Sequence, residues 1–335
     1  MDYRQMTLGP SAVSEQPPTR LSPHAGLVPR AGIALVSLVA AGLGLRYALS
    51  GLDWPSFWSG LRHLEPRWLA AAVAFDVASY VAQGFRWSLL LSSLRPGGWP
   101  GMLWRTTRAI YAGLFVNEVV PLRPGEVARA WLAARDLRVG VWAVAPAMLT
   151  ERLFDGLWLT IALLAAIVAV PVPASVARTV WTLAAAVFAL IAMVFALCRM
   201  RSSAFFLPFL LKLATGLRDW RACAVSACFL VAQGLAFWSV MRASHLPLGM
   251  AAAFVVMVIV RIGTMIPGPP ANAGIHQFAT VLGLSLYGVS RANAAAFSLV
   301  VFAVLTMPLL IIGLAAWIST GLTWRFIRDG VVLRG

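Results

Sequence analysis

The chain has 335 residues, of which 60% are hydrophobic and 12% are charged, and its mean hydropathy is +0.82. Because an ordinary soluble domain carries roughly 25% charged residues, this composition excludes a soluble globular protein. The formal net charge of +15 would suit nucleic-acid binding, but the arginines lie between apolar runs and form no long basic tail with interleaved aromatic residues. We therefore expect an all-α membrane protein without a nucleic-acid partner.

The chain begins with a polar, proline-rich stretch that lacks the apolar core and cleavage site of a signal peptide. We predict a disordered cytoplasmic tail over residues 1–30 and a second cytoplasmic tail over residues 321–335. Residues 31–320 are predicted to form a single membrane domain, because apolar runs of about 20 residues recur there and each can cross a hydrocarbon core of roughly 30 Å. These runs must be helical, since lipid offers the backbone no hydrogen-bond partners.

Six apolar runs are predicted to span the membrane, over residues 31–49, 67–91, 140–170, 175–198, 222–242 and 291–318. Two further apolar runs, 103–121 and 248–266, end in proline clusters and precede short helical segments, 124–136 and 272–286. At about 1.5 Å per residue the short segments reach only about 20 Å, too short to cross comfortably. The pattern therefore predicts six to eight transmembrane helices, with two proline-broken re-entrant helical hairpins if there are six.

The distribution of basic residues distinguishes these two topologies, because cytoplasmic loops are enriched in Lys and Arg. With six spans and two hairpins, the basic cluster from Arg199 to Arg221 lies inside; with eight spans it falls outside. We therefore favour six spans with two hairpins. In this topology both termini are cytoplasmic and the protein is a multi-pass component of a bacterial inner membrane.

Two sequence patterns recur in the same order along the chain. The tetrapeptide Val-Ala-Gln-Gly occurs at 81–84 and again at 231–234. A Pro-x-x-Pro pattern follows each copy, at 121–124 and at 267–270. This common order predicts an internal repeat, which the six-span topology would make an inverted one.

The predicted repeat divides the membrane domain into two halves, at about 31–170 and 175–320. Between the central spans lies an amphipathic stretch at 202–220, which we interpret as an interfacial linker. Three spans and one hairpin in each half would give a transporter-like arrangement.

The first proline-broken segment, residues 117–126, carries most of the charge. It contains two prolines and a glycine, and arginines flank the start of the next helix. A helix N-terminus with free N–H groups and nearby arginines can bind phosphate. The alternative is a surface loop whose charges are merely solvated. The candidate substrate-binding residues here are Asn117, Arg123, Glu126 and Arg129.

The second broken segment, residues 267–274, is neutral. Arg261 precedes it within an apolar run, where a lone charge is expensive and normally faces a partner or a cavity. The alternative for Arg261 is a snorkelling or salt-bridged arginine, and a lone membrane histidine such as His276 is more often a packing residue. Asn272, His276 and Gln277 complete the candidates in this region.

A charged trio, Glu151, Arg152 and Asp155, lies about 16 Å into the third predicted span by helix rise. The two acids are four residues apart and share a helix face, and Arg152 can pair with Asp155. These residues either line a polar cavity or form an ion-pair network that only holds helices together. Asp76, Gln83 and Arg86 in the second span are weaker candidates of the same kind, grouped by their position in an apolar helix.

No pattern in the sequence indicates an enzyme. There is no His/Cys/Asp cluster with metal-ligand spacing, no nucleophile elbow and no phosphate-binding Gly-rich loop before a lysine. The three cysteines, Cys198, Cys223 and Cys228, lack Cys-x-x-Cys spacing and are interpreted as packing residues. We expect neither a metal nor a cofactor.

Several motifs together resemble the membrane domain of lysylphosphatidylglycerol synthases and related stand-alone, flippase-like proteins. They are Pro121-Leu-Arg-Pro-Gly-Glu126 with Arg129 and Leu132, then Glu151-Arg-Leu-Phe-Asp155, and finally Pro267-x-x-Pro270 with Gly274 and Gly288-Val289. The resemblance covers roughly residues 30–320. It implies lipid handling, in which a polar lipid headgroup moves between the leaflets.

The chain departs from the family pattern in two ways. The family's second hairpin usually carries a glutamate where Gln277 aligns and a second glycine where Asn272 stands. The synthases also carry a soluble aminoacyl-transfer domain, whereas this chain ends at Gly335, so lipid aminoacylation is not expected here.

Three functional hypotheses follow. The leading one is a flippase that transports a polar, anionic, phosphate-bearing lipid, with Arg123, Arg129 and Arg152 at the headgroup. The second is a membrane enzyme acting on a lipid phosphate or glycosyl carrier, with His276 or Glu126 as acid or base. The third is an accessory subunit of a lipid-biosynthesis pathway. Apart from the lipid, a second copy of the chain in a homodimer is the partner we consider.

Overall fold

The computed structural model describes residues 27–94, 101–121, 123–169, 207–265 and 269–321, together with scattered positions between 178 and 196. The predicted tails lie outside these ranges apart from residues 27–30 and Gly321, as does most of the predicted span at 175–198 and the first part of the linker at 202–220.

Eleven α-helices and two short 3₁₀ turns make up the described ranges, which contain no strand. The all-α prediction is therefore confirmed for this part of the chain. The helices are α1 (Leu27–Leu49), α2 (Trp54–Leu61), α3 (Pro66–Leu91), α4 (Met102–Val119), α5 (Gly125–Leu137), α6 (Val141–Ala169), α7 (Leu207–Arg218), α8 (Trp220–Ala243), α9 (Met250–Met265), α10 (Ile275–Ser285) and α11 (Arg291–Ser319).

Three described helical segments are long and apolar enough to cross a membrane: Pro66–Leu94, Trp220–Ala243 and Arg291–Ser319. Two shorter segments, Leu38–Leu49 and Met250–Met265, are also apolar. The number of spans, the re-entrant course of the hairpins and the inverted repeat stay predictions.

The first break lies between α4 and α5. Val120 is extended (φ −114°, ψ 131°) ahead of Pro121, as expected because a proline ring disfavours helical backbone in the residue before it. Asn117 then accepts a hydrogen bond from the Gly125 N–H at 2.8 Å, which satisfies a free donor at the start of α5. A Cβ on Gly125 would lie 1.8 Å from the Gly113 carbonyl oxygen. The two helices therefore pack backbone against backbone.

The second break lies between α9 and α10, and residues 266–268 within it are outside the described ranges. A 3₁₀ turn spans Pro270–Asn272, in which Ala271 (φ 56°) and Asn272 (φ 50°) adopt left-handed backbone. Gly274 (φ 82°) precedes α10, and a Cβ there would lie 2.0 Å from the Ala41 carbonyl oxygen of α1. Glycine is thus required both by its φ angle and by the close approach of α1.

The repeated tetrapeptides lie on α3 and α8, which pack along each other. A Cβ on Gly84 would lie 2.1 Å from the Thr107 hydroxyl of α4, and a Cβ on Gly234 would lie 2.3 Å from the Phe254 ring of α9. Gly84 therefore lets α4 approach α3 closely, and Gly234 lets α9 approach α8 closely. The helices α4 and α9 each precede one of the two broken segments.

Two large hydrophobic cores are present in the described ranges, and both include residues of α3 and α8. One forms around α4, α5 and α6, with Ile110, Leu132 and Val144 fully or almost fully buried. The other forms around α8 to α11, with Val256 and Leu284 fully buried. Each broken pair is therefore packed on its own core, and the breaks face the space between them.

Candidate substrate-binding cavity

A cavity of about 320 Å³ lies where the two breaks meet. Ligand pockets commonly measure roughly 300–1,000 Å³, so this cavity has room for a small polar group. Its lining includes nine of the eleven residues predicted from sequence: Asn117, Arg123, Glu126, Arg129, Arg152, Asp155, Arg261, Asn272 and His276. The other two, Glu151 and Gln277, are buried behind the lining.

Glu151 is the centre of an ion-pair network and is completely buried. Its Oε1 accepts hydrogen bonds from Gln83 Nε2 at 2.6 Å and from Arg86 Nη2 at 2.8 Å. Its Oε2 lies 2.9 Å from Arg129 Nη2. A buried carboxylate is tolerated only when it is paired and hydrogen-bonded, and Glu151 fulfils both conditions through residues of α3 and α5.

Arg86 joins three helices and is also completely buried. From α3 it donates to Asp155 Oδ1 of α6 at 2.6 Å and to Ser226 Oγ of α8 at 2.9 Å, in addition to its bond with Glu151. The sequence ranked Arg86 only as a weaker candidate. Its partners lie 65 to 140 residues away along the chain, so no local pattern indicates this role.

Glu126 is shared by two arginines. Its Oε2 lies 2.7 Å from Arg129 Nη2, and its Oε1 lies 2.5 Å from Arg152 Nη2. Arg129 also lies over the Trp87 ring at 4.9 Å. The Arg152 side chain is 48% exposed, so it forms the accessible edge of the network.

The charges of this network cancel. Three arginines meet three carboxylates, namely Arg86, Arg129 and Arg152 with Glu126, Glu151 and Asp155. The network is therefore a neutral, cross-linked wall of the cavity.

Arg123 and Arg261 also face the cavity, but neither forms a salt bridge with a described residue. Arg123 Nη2 donates to the Thr264 carbonyl oxygen at 2.7 Å, which links the first break to the last turn of α9. Arg261 donates to Gln233 Oε1 and lies over the Phe229 ring at 4.8 Å. These two guanidinium groups keep positive charge that no described carboxylate neutralises by direct contact.

Two carboxylates of the lining, Asp76 and Glu118, likewise form no salt bridge in the described part of the chain. Asp76 is 3% exposed. His276 lies between the rings of Phe237 and Phe302, and its buried Nδ1 has no hydrogen-bond partner among the described residues.

Sequence reasoning did not single out several other lining residues. Gln233 belongs to the repeated tetrapeptide, and that repetition was the available signal for it. Tyr80 and Phe229 are aromatic residues in apolar helices, a pattern that gives no such signal. No three metal-ligand side chains come together within the described ranges.

The family model for the lysylphosphatidylglycerol synthase TM region matches residues 31–313. The chain belongs to this family. Membership indicates a membrane protein involved in lipid handling, and it confirms the resemblance seen in the motifs. No curated protein matches the chain in sequence.

The structure gives a physical account of the two residues, Asn272 and Gln277, that depart from the family pattern. Asn272 adopts φ 50°, a left-handed conformation that asparagine tolerates better than most residues with a side chain, so it can stand in place of glycine. Gln277 Oε1 accepts a hydrogen bond from the Gly274 N–H at 2.6 Å. A glutamate oxygen would accept the same bond, so glutamine can replace glutamate in this contact.

Proposed function

We propose that the protein is a lipid transporter that moves an anionic, phosphate-bearing lipid across the bacterial inner membrane. The observation that carries this proposal is the pair Arg123 and Arg261, which face the cavity and form no salt bridge with any residue that the structure describes. A charge buried in a membrane protein is costly, and such residues normally serve an ion or substrate path. Guanidinium groups bind phosphate through directed, charge-assisted hydrogen bonds.

The neutral network beside this pair supports the assignment. Arg86, Arg129 and Arg152 form salt bridges whose carboxylates offset their positive charge. They therefore attract an anion less strongly than Arg123 and Arg261 do. Arg129 and Arg152, which the sequence placed at the headgroup, are given a positioning role in the proposal. They hold α5 against α6 and so fix the first break.

An apolar groove between α3 and α11 offers a place for the acyl chains. It measures about 790 Å³ and its lining includes Val77 and Val304. Each of these residues is adjacent in sequence to a residue of the polar cavity, Asp76 and Leu305 respectively. The cavity and the groove therefore lie on two sides of the α3–α11 seam. In the proposal, the headgroup enters the cavity while the chains stay in the groove.

Transport requires that the cavity open alternately to the two sides of the membrane. We attribute this to rocking of one predicted repeat half against the other. The Arg123–Thr264 hydrogen bond joins the two breaks and would have to break or re-form during that motion. Cytoplasmic termini and re-entrant hairpins belong to the same proposal.

The second candidate is an enzyme that acts on a lipid phosphate, and it draws on the unpartnered Nδ1 of His276 in the cavity wall. Glu126, the other predicted acid or base, is held by two arginines and is therefore poorly suited to proton transfer. Analysis of the lipid after incubation separates the two functions, because a transporter leaves its lipid chemically unchanged.

The proposal is tested by reconstituting the purified chain in vesicles with chain-labelled phosphatidylglycerol and following label movement between leaflets. Arg123→Gln with Arg261→Gln is expected to slow movement at least about tenfold, the effect of losing roughly 1.4 kcal/mol of binding. Arg218→Gln, which removes an exposed arginine of α7, serves as the matched control and should keep the wild-type rate. Wild-type movement by the double variant would contradict the site.

A further inference from the structure

We infer that Asp76 and Glu118 bind protons when the cavity binds an anionic headgroup, so that lipid loading and proton uptake are coupled. The inference rests on the proposed function, since it concerns the same cavity. It adds a second ligand, the proton, and assigns two carboxylates that the ion-pair network does not use.

The two carboxylates lie in the same cavity as the two arginines. Asp76 on α3 and Glu118 on α4 both line the cavity, where they share the space with Arg123 and Arg261. Neither carboxylate forms a salt bridge with a described residue, although Asp76 is almost completely buried. An ionised carboxylate without a direct partner is unstable in such a place unless a nearby positive field supports it.

Two arginines supply part of that field. Burial is the stronger influence on both carboxylates, and Arg261 opposes it at Asp76 as Arg123 does at Glu118. When both carboxylates are ionised, the charges of the lining balance, because two arginines and two carboxylates share the cavity in addition to the neutral network. Each carboxylate depends on the same guanidinium group that the headgroup would bind.

Charge balance then gives the coupling. A phosphodiester headgroup brings one negative charge to Arg123 and Arg261. Asp76 and Glu118 then face a new anion while their supporting cations are engaged, and both effects favour the protonated carboxyl. Uptake of one proton for each phosphodiester restores neutrality in the cavity. Departure of the lipid reverses the step and releases the proton.

Other titratable groups near these carboxylates must be distinguished from them. Tyr80 on α3 lies within electrostatic range of both Asp76 and Glu118, and Tyr111 on α4 lies within range of Asp76. The remaining charged or titratable groups of the lining are Glu126, Arg129, Arg152, Asp155 and His276. The first four are held in ion pairs, and α8 and α11 add no titratable group to the lining. His276 is therefore the main alternative proton acceptor.

The experiment is calorimetric titration of the purified full chain, in a non-ionic detergent, with short-chain phosphatidylglycerol. This diester keeps its charge from weakly acidic to weakly alkaline pH. Measurements in two buffers of different ionisation enthalpy count the protons taken up. The wild-type protein is expected to take up about one proton per lipid, and its Kd should rise about tenfold per pH unit once the free carboxylates are ionised. A proton count of zero with a pH-independent Kd would overturn the inference without requiring any variant.

Three variants locate the proton. Asp76→Asn with Glu118→Gln should bind the lipid without proton uptake, whereas Asp53→Asn, an exposed carboxylate outside the cavity, should behave like wild type. His276→Gln should also keep the uptake. Uptake that persists in the double amide variant, or vanishes in His276→Gln, would overturn the assignment.

Failure of the proposed function has a different signature. Arg123→Gln with Arg261→Gln is expected to abolish lipid binding at every pH. If that variant binds normally, the anion site itself is wrong. If it does not bind and the wild-type protein binds without protons, the anion site stands and the coupling is wrong.

Discussion

The two broken segments have similar backbone conformations but differ in charge. In each, a helix ends ahead of prolines, a residue other than glycine adopts left-handed backbone, and a glycine lies where another backbone comes closest. The first segment adds Glu118, Arg123 and Glu126, whereas the second contains no charged residue.

This difference shows that the shape of the breaks and the chemistry of the site have separate origins. Prolines and glycines set the shape in both segments. The charges of the first segment connect it to α6 through Glu126. The second segment packs Gly274 on α1, and the last turn of α9 ahead of it presents the Thr264 carbonyl oxygen to Arg123. In the proposed anion site, the first segment supplies Arg123, and α9, which precedes the second segment, supplies Arg261.

The largest expected effect comes from removing the carboxylate of Glu151, which pairs with Arg129 at the start of α5. Glu151→Ala leaves Arg86 and Arg129 without their shared buried partner, which should lower the free energy of unfolding by about 3–5 kcal/mol. Chemical denaturation in detergent measures this change. Glu65→Ala, which breaks an ion pair with the exposed Arg67, is the control and should have little effect. Equal stability of the two variants would contradict a structural role for the network.

Alanine at the two close-approach glycines compares the segments directly. Gly125→Ala and Gly274→Ala each place a methyl group against a carbonyl oxygen, and overpacking of this kind costs about 1–3 kcal/mol. Both should lower the midpoint of thermal unfolding, but only Gly125→Ala moves α5 and should also weaken lipid binding strongly.

Gly42→Ala is the control for this pair, because a Cβ there meets no atom within 4 Å. It should leave both the unfolding midpoint and lipid binding unchanged. If Gly274→Ala impairs binding as much as Gly125→Ala does, the two segments contribute equally and the asymmetry is wrong.

A smaller effect is expected at the cap of the second segment. Gln277→Ala removes the acceptor for the Gly274 N–H and should cost about 1 kcal/mol, as lost helix caps do. Gln277→Glu keeps an acceptor oxygen at that position and should cost less than Gln277→Ala. Denaturation of both variants side by side tests this, and the reverse order of stability would exclude a capping role.

The smallest effect is expected at Asn272. Asn272→Gly removes the modest strain of a left-handed conformation and should change the free energy of unfolding by less than about 1 kcal/mol. Transport should stay at the wild-type rate. A large loss of transport would mean that the asparagine side chain, rather than its backbone, is what the site uses.

Local sequence patterns predicted the helices well because their causes are local. The apolar runs and the prolines placed the start of α5 at 124 and that of α6 at 140, against Gly125 and Val141 in the structure. Ion pairing depends instead on how distant helices pack. The sequence therefore offered Arg123, Arg129 and Arg152 as equals, although only Arg123 lacks a carboxylate partner among the described residues. For the same reason the sequence ranked Arg86 only as a weaker candidate, although it pairs with both Glu151 and Asp155 in the structure.

Binding of the lipid phosphate by Arg123 and Arg261 can be observed in a structure of the protein in nanodiscs that contain phosphatidylglycerol. We expect a phosphate group in the cavity, with its oxygens about 2.7–2.9 Å from both guanidinium groups. A headgroup bound to Arg152 or outside the cavity, with Arg123 and Arg261 uninvolved, would contradict this expectation.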